Sequence, residues 1–119
     1  MTIHRGLNVI PLALQLKQHP ELWDEHPERT ESEESPHRQV HDIWARFGPV
    51  GGNRNAPHDS EWYPSYRLLP AITPIVYGLM SQVQGERLGG VLITRIPPGG
   101  CVLPHTDGGW HAQYYEKYG

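Results

Sequence analysis

The tetrapeptide Pro97-Pro98-Gly99-Gly100 separates two runs of strand-forming residues and leaves the backbone little choice but to turn. Proline suits Pro98 to the first central position of a type II turn, and glycine suits Gly99 to the second, where φ is positive. The run before it, 91–96 (VLITRI), is rich in β-formers, and the run after it, 101–105 (CVLPH), reads as the returning partner strand. That return ends in His105-x-Asp107. Residues two apart in an extended chain point to one face, so an imidazole and a carboxylate are aimed into one space. Cys101 and Leu103 share their parity, which places the pair at the end of an otherwise apolar face, with Cys101 read as a buried small hydrophobe.

Gly and Pro together number 25 of the 119 residues, a composition that favours short strands and turns over an all-helical bundle. The length suits a single domain, 1–119. With 10 basic against 13 acidic residues and no basic cluster, the chain lacks the electrostatic footprint of a nucleic-acid binder. No apolar run is long enough to span a membrane, and one cysteine cannot form an internal disulfide. The expectation is a soluble, cytoplasmic protein without a membrane partner.

Along the chain, residues 8–19 suggest a short helix with Asn8 or a neighbour as cap, Pro11 in the first turn and Pro20 as the stop, completing a helical N-terminal part over about 1–38. Residues 24–38 carry dense charge and almost no apolar content, so they read as a surface loop, with His26 and His37 as solvated side chains rather than ligands. Residues 39–47 read as a strand packed on both sides, in which His41 is a hydrogen-bonded rim or core histidine ahead of a metal ligand. The long, turn-rich segment 48–64 has the character of a binding loop, although Trp62, Tyr63 and Tyr66 read as packing before pocket lining. Strand and loop thus occupy 39–70. A second helix is predicted over 72–84, capped by Thr73, with Pro74 first and Gly85 as the stop; it braces the sheet, and Gly78 would allow close approach to a strand. The strand-turn-strand unit with the metal pair follows at 89–109.

The stretch 90–107 (GVLITRIPPGGCVLPHTD) resembles the core of the aspartyl/asparaginyl β-hydroxylase family. The Pro-Gly turn, the run after it and Pro104-His105-Thr106 carry the similarity, and the order of the earlier segments extends it more loosely over most of the chain. The resemblance implies an Fe(II)/2-oxoglutarate-dependent dioxygenase with a double-stranded β-helix (cupin-like jelly roll). The fold class is therefore expected to be mainly β with flanking helices (α+β), a partial jelly roll. His105 and Asp107 would be iron ligands, two of the two-histidine, one-carboxylate set that such a centre uses. Thr94, eleven residues before His105, matches the hydroxyl that can bond the far carboxylate of 2-oxoglutarate.

The family's second half-barrel, with a distal histidine and a cosubstrate-binding arginine, follows a Tyr-rich segment like the one at 114–118. The chain therefore reads as the N-terminal half of such an enzyme, an incomplete barrel. His111 is the one histidine downstream of the pair, and Gly108 and Gly109 would permit the sharp fold-back needed to add it to the site. The leading expectation is a hydroxylase of Asp, Asn or another amino-acid-like substrate, small or peptidic, using O₂. A catalytically inactive remnant that self-associates through open sheet edges is the alternative. A zinc hydrolase built on His105, Asp107 and His111 ranks below both, because a second acid/base carboxylate is lacking nearby.

Overall fold

The computed structural model describes residues 6–53 and 56–108. His111, Gly109 and Trp110 therefore lie outside the described residues, and so does the expectation that His111 joins the pair. The first helix, α1 (Ile10–Gln18), begins where the Asn8 side chain accepts the Ile10 N–H at 3.2 Å, with Pro11 in its first turn. Pro20 ends it and opens a 3-10 turn, Pro20–Leu22. Leu12 and Leu16, four apart on one face, pack with Trp23 against a core to which Leu22 belongs.

The acidic segment 24–38 is not a free loop. It contains a second 3-10 turn, Pro27–Arg29, and is stitched to the central strand β1 (His41–Phe47). Asp24 adopts a positive φ of 60°, a conformation its short polar side chain tolerates. There its N–H reaches the Asp42 carbonyl at 2.9 Å, and its carboxylate accepts the Asp42 N–H at 3.2 Å and the His41 Nδ1–H at 2.6 Å. His41 is thus a rim histidine held by Asp24.

β1 is buried on both sides, which explains its mixed pattern. Ile43 and Ala45 face the helices and join Leu22, Leu69 and Ile72 in one core cluster, while Asp42 and Trp44 are buried against the opposite face. β2 (Glu61–Trp62) pairs antiparallel with the end of β1, Arg46 opposite Trp62. The short α2 (Ser65–Leu68) follows, its Ser65 hydroxyl donating to the Trp44 carbonyl and Tyr63 N–H to the Ala45 carbonyl. These bonds satisfy the β1 edge that no long strand covers.

The third helix, α3 (Ile72–Gln82), starts at the predicted residue but with a different cap. Ala71 is its cap residue, and Thr73 lies inside it, its hydroxyl 2.7 Å from that of Tyr66. At its end Gln84 takes the positive φ, 52°, expected of Gly85. Gly85 N–H then reaches the Met80 carbonyl and Gln84 N–H that of Ser81, the two bonds of a Schellman ending. Ile72 is buried and Val76 partly so, but Val83 is exposed, and the position of Gly78 opens onto free space rather than a strand.

β3 (Val91–Arg95) pairs antiparallel with β1, with Asp42 opposite Thr94 and Trp44 opposite Leu92. The sheet is three-stranded, in the order β2-β1-β3, and the fold is α+β. The turn after β3 is type II: Gly99 has φ 79°, and Gly100 N–H returns to the Pro97 carbonyl at 2.9 Å. The predicted partner strand does not form. Residues 101–108 are irregular and run beside 36–39, where Gln39 Oε1 accepts the Cys101 N–H at 3.1 Å and Pro36 carbonyl accepts that of Leu103 at 2.8 Å. Those acceptors draw the chain off β3, and Pro104 has no N–H with which to extend a ladder. Cys101 is consequently exposed rather than buried. Among the described residues no helix is long and apolar enough to cross a membrane.

Candidate functional site

The sheet face bearing Trp44 and Leu92 is the floor of an open cavity of about 870 Å³. Its walls come from the 28–37 segment, from the glycine-rich loop 48–53 with 56–58, and from 105–108. The long, turn-rich loop thus lines the cavity. Trp44, Phe47 and Leu92 contribute apolar lining from the sheet, and Val50 and Ala56 add to it from the loop. Trp62, Tyr63 and Tyr66 are not part of it. Trp62 packs against Tyr66 at 4.1 Å between ring centroids, and Tyr63 lies edge-on to Trp44 and donates to the Gly48 carbonyl at 2.7 Å.

Asp42 is the deepest charge, 1% exposed. A carboxylate so buried needs partners, and it has two: Arg29 Nη1, and the Thr94 hydroxyl, which donates at 2.7 Å. The other arm of Arg29, Nη2, lies 3.0 Å from His37 Nδ1. One guanidinium therefore ties the buried acid to a histidine on the cavity wall. Burial lowers the pKa of His37, and the charges of Arg29 and His105 lower it further, against the opposing pull of Asp42 and Asp107. His26 belongs to a separate cluster, stacked on Trp44 at 5.1 Å and edge-on to Tyr63 at 4.7 Å. Beside it the Trp44 Nε1–H is buried without a hydrogen-bond partner among the described residues.

His105 and Asp107 meet at the cavity rim, although no strand brings them there. His105 Nδ1–H donates to the Leu103 carbonyl at 2.8 Å, which fixes the ring and turns Nε2 toward Asp107 Oδ1, 3.4 Å away. That separation exceeds the roughly 2.7–2.9 Å of a charge-assisted hydrogen bond. Two donors each about 2.1 Å from one ion would lie roughly 3.0–3.4 Å apart, depending on the angle between them. The pair therefore fits two neighbouring positions on one metal, with the Nδ1–H bond to a carbonyl setting the tautomer as such ligands require. Asp107 is 84% exposed, so the site opens outward. Among the described residues, no three His, Cys, Asp or Glu side chains form a group that could hold a metal ion.

Compared with protein-family models, curated proteins and solved structures, the chain matches none. The functional reading therefore rests on geometry. Thr94 is not in the cavity lining, and the one proton of its hydroxyl is committed to Asp42. Sequence reasoning passed over Arg29 and Asp42, and read as solvated the His37 that the structure half-buries on the cavity wall beside Arg29. A signal for them was present: an acid inside a strand buried on both sides demands a cation, and Arg29 is in the segment just upstream.

Proposed function

We propose that this chain forms the iron-binding part of an Fe(II)/2-oxoglutarate-dependent dioxygenase of the aspartyl/asparaginyl β-hydroxylase type, acting on an Asp, Asn or other amino-acid-like substrate. The observation that carries the reading is the 3.4 Å approach of His105 Nε2 to Asp107 Oδ1 at the mouth of a cavity. When bound together, Fe(II) and 2-oxoglutarate supply the activation of O₂ that hydroxylation of an unactivated C–H bond needs. This chain's own residues have simpler tasks. His105, oriented by the Leu103 carbonyl, and Asp107 would hold the metal, and Trp44, Phe47 and Leu92 would keep bulk water from one side of it. Thr94 would orient the cosubstrate only by exchanging Asp42 for a cosubstrate carboxylate, which makes Asp42 a competitor for that hydroxyl. The partial jelly roll belongs to the same reading, with further strands adding beside β3.

A second reading, a catalytically inactive module that self-associates, is favoured by β3 itself. Among the described residues it pairs on one side only, and a bare strand edge is a template for another chain. Anaerobic addition of Fe(II) and then 2-oxoglutarate separates the two. The oxygenase reading expects a visible charge-transfer band that is lost in His105→Ala. No band from folded protein, or the same band from the variant, contradicts it.

A further inference from the structure

Among the described residues, Arg29 is the only side chain lining the cavity whose positive charge does not depend on pH. Its guanidinium is held from behind: Nη1 is bound to Asp42, which is 1% exposed and not itself part of the lining. Nη2 lies 3.0 and 3.3 Å from the two ring nitrogens of His37, and a neutral imidazole accepts only one hydrogen. Arg29 Nε has no partner among the described residues. It is not sealed away either, because the buried side-chain atom left without a partner there is Trp44 Nε1. The Nε–Nη2 edge is therefore an open fork at the cavity wall, the geometry that takes a carboxylate through two parallel hydrogen bonds. Asp42 does not compete for that edge, since its Oδ2 is paired with Arg29 Nη1 and its Oδ1 with Thr94. Two acids, Glu28 and Asp107, line the same cavity and oppose an anion. Both are exposed, Asp107 at 84%, whereas the Arg29 side chain is 17% exposed, so solvent screens the repulsion more than the attraction.

We propose that Arg29 recognises the substrate by its carboxylate, gripping it along the Nε–Nη2 edge, so that the substrate is an acid such as an aspartyl residue rather than the corresponding amide. The inference rests on the reading of this cavity as the substrate site of an oxygenase, and it narrows the substrate class. The position of the fork agrees with that use. His37 lies against Arg29 on one side and against His105 on the other, with ring centroids 4.8 Å apart, so one imidazole separates the fork from the pair at the rim. Asp42 is then a positioning residue, which fixes the guanidinium before the substrate arrives and spares the cost of ordering it on binding. An amide would set an NH₂ group against one of the two fork donors and leave that donor unpaired, which is the basis of the discrimination.

The test uses the whole 119-residue chain without metal. The probes are N-acetyl-L-aspartate α-amide, N-acetyl-L-asparagine α-amide and 2-oxoglutarate, each titrated while the Arg29 Nε–Hε signal is followed by NMR. The proposal expects the aspartyl compound to move that signal saturably, and the asparaginyl compound to bind at least about tenfold more weakly, the loss of one charge-assisted hydrogen bond. Arg29→Lys keeps a positive charge beside Asp42 and removes the fork. It is expected to bind the aspartyl compound at least about tenfold more weakly, with its urea transition reporting that it is folded; if it is not, the acid-against-amide comparison on the unaltered chain decides. Equal affinity for acid and amide, or an Arg29 signal that the aspartyl compound does not move, overturns the proposal. So does a signal moved by 2-oxoglutarate alone, which would assign the fork to the cosubstrate. Because no iron is present, these outcomes are separate from the charge-transfer band: a missing band with Arg29 responding removes the oxygenase reading and leaves a carboxylate site.

Discussion

Arg29 decides how the buried acid of this small protein is tolerated. Removing one member of a buried ion pair strands the other, at a cost of about 3–5 kcal/mol, whereas losing one hydrogen bond to a charged group costs about 1.5–3 kcal/mol. Arg29→Ala is therefore expected to destabilise the protein more than Thr94→Val, with urea denaturation as the measurement and Asp42 as the common partner. Tyr63 supplies a pH dependence of known sign. Burial raises its pKa above 10.0, with Glu61 and Glu28 adding to the effect. A raised folded pKa means that its contribution to stability is complete below the unfolded value and is lost as pH rises through the folded one. Stability should fall above about pH 10, and Tyr63→Phe should flatten that decline. At this scale the sequence was legible for the meeting of His105 and Asp107, whose spacing aims them into one space and which lie 3.4 Å apart. It was not legible for His37, whose polar surroundings match those of a solvated residue and whose neighbour His105 lies far along the chain.

Among the elements, local chemistry was readable and partnership was not. The type II turn at 97–100 follows from proline and glycine alone, and the φ of 79° at Gly99 bears it out. Which segment the chain meets after the turn depended on acceptors sixty residues upstream, Gln39 and Pro36, that no local pattern reveals. Gly99→Ala should cost about 1–2 kcal/mol, the penalty for a side chain in left-handed backbone. Because the turn feeds the 101–108 segment, the same variant should loosen amide protection at Leu103, read by hydrogen exchange. Unchanged exchange there would mean that the Pro36 bond holds the segment without help from the turn. The start of α3 shows a similar limit: Thr73 has the chemistry of a cap, but its hydroxyl pairs with that of Tyr66 and the cap position falls two residues earlier, at Ala71.

For the molecule as a whole, the expectation of α+β was met by a three-stranded antiparallel sheet with helices packed on one face and a cavity on the other. Two-sided burial of β1 could be read from its mixed pattern. The use of its second face could not, because it depends on loops that fold over Asp42 and Trp44. Above that face lies the proposed metal site, with His105 and Asp107 as ligands at the cavity rim. Backbone amide signals recorded during a titration with substoichiometric Mn(II), a paramagnetic stand-in for Fe(II), test it most directly. Broadening is expected to appear first at residues 105–107 and next at other residues lining the cavity, Arg29 and His37 among them. Broadening centred instead on the exposed carboxylates Glu31, Glu33 and Glu34, with 105–107 unaffected, would contradict it.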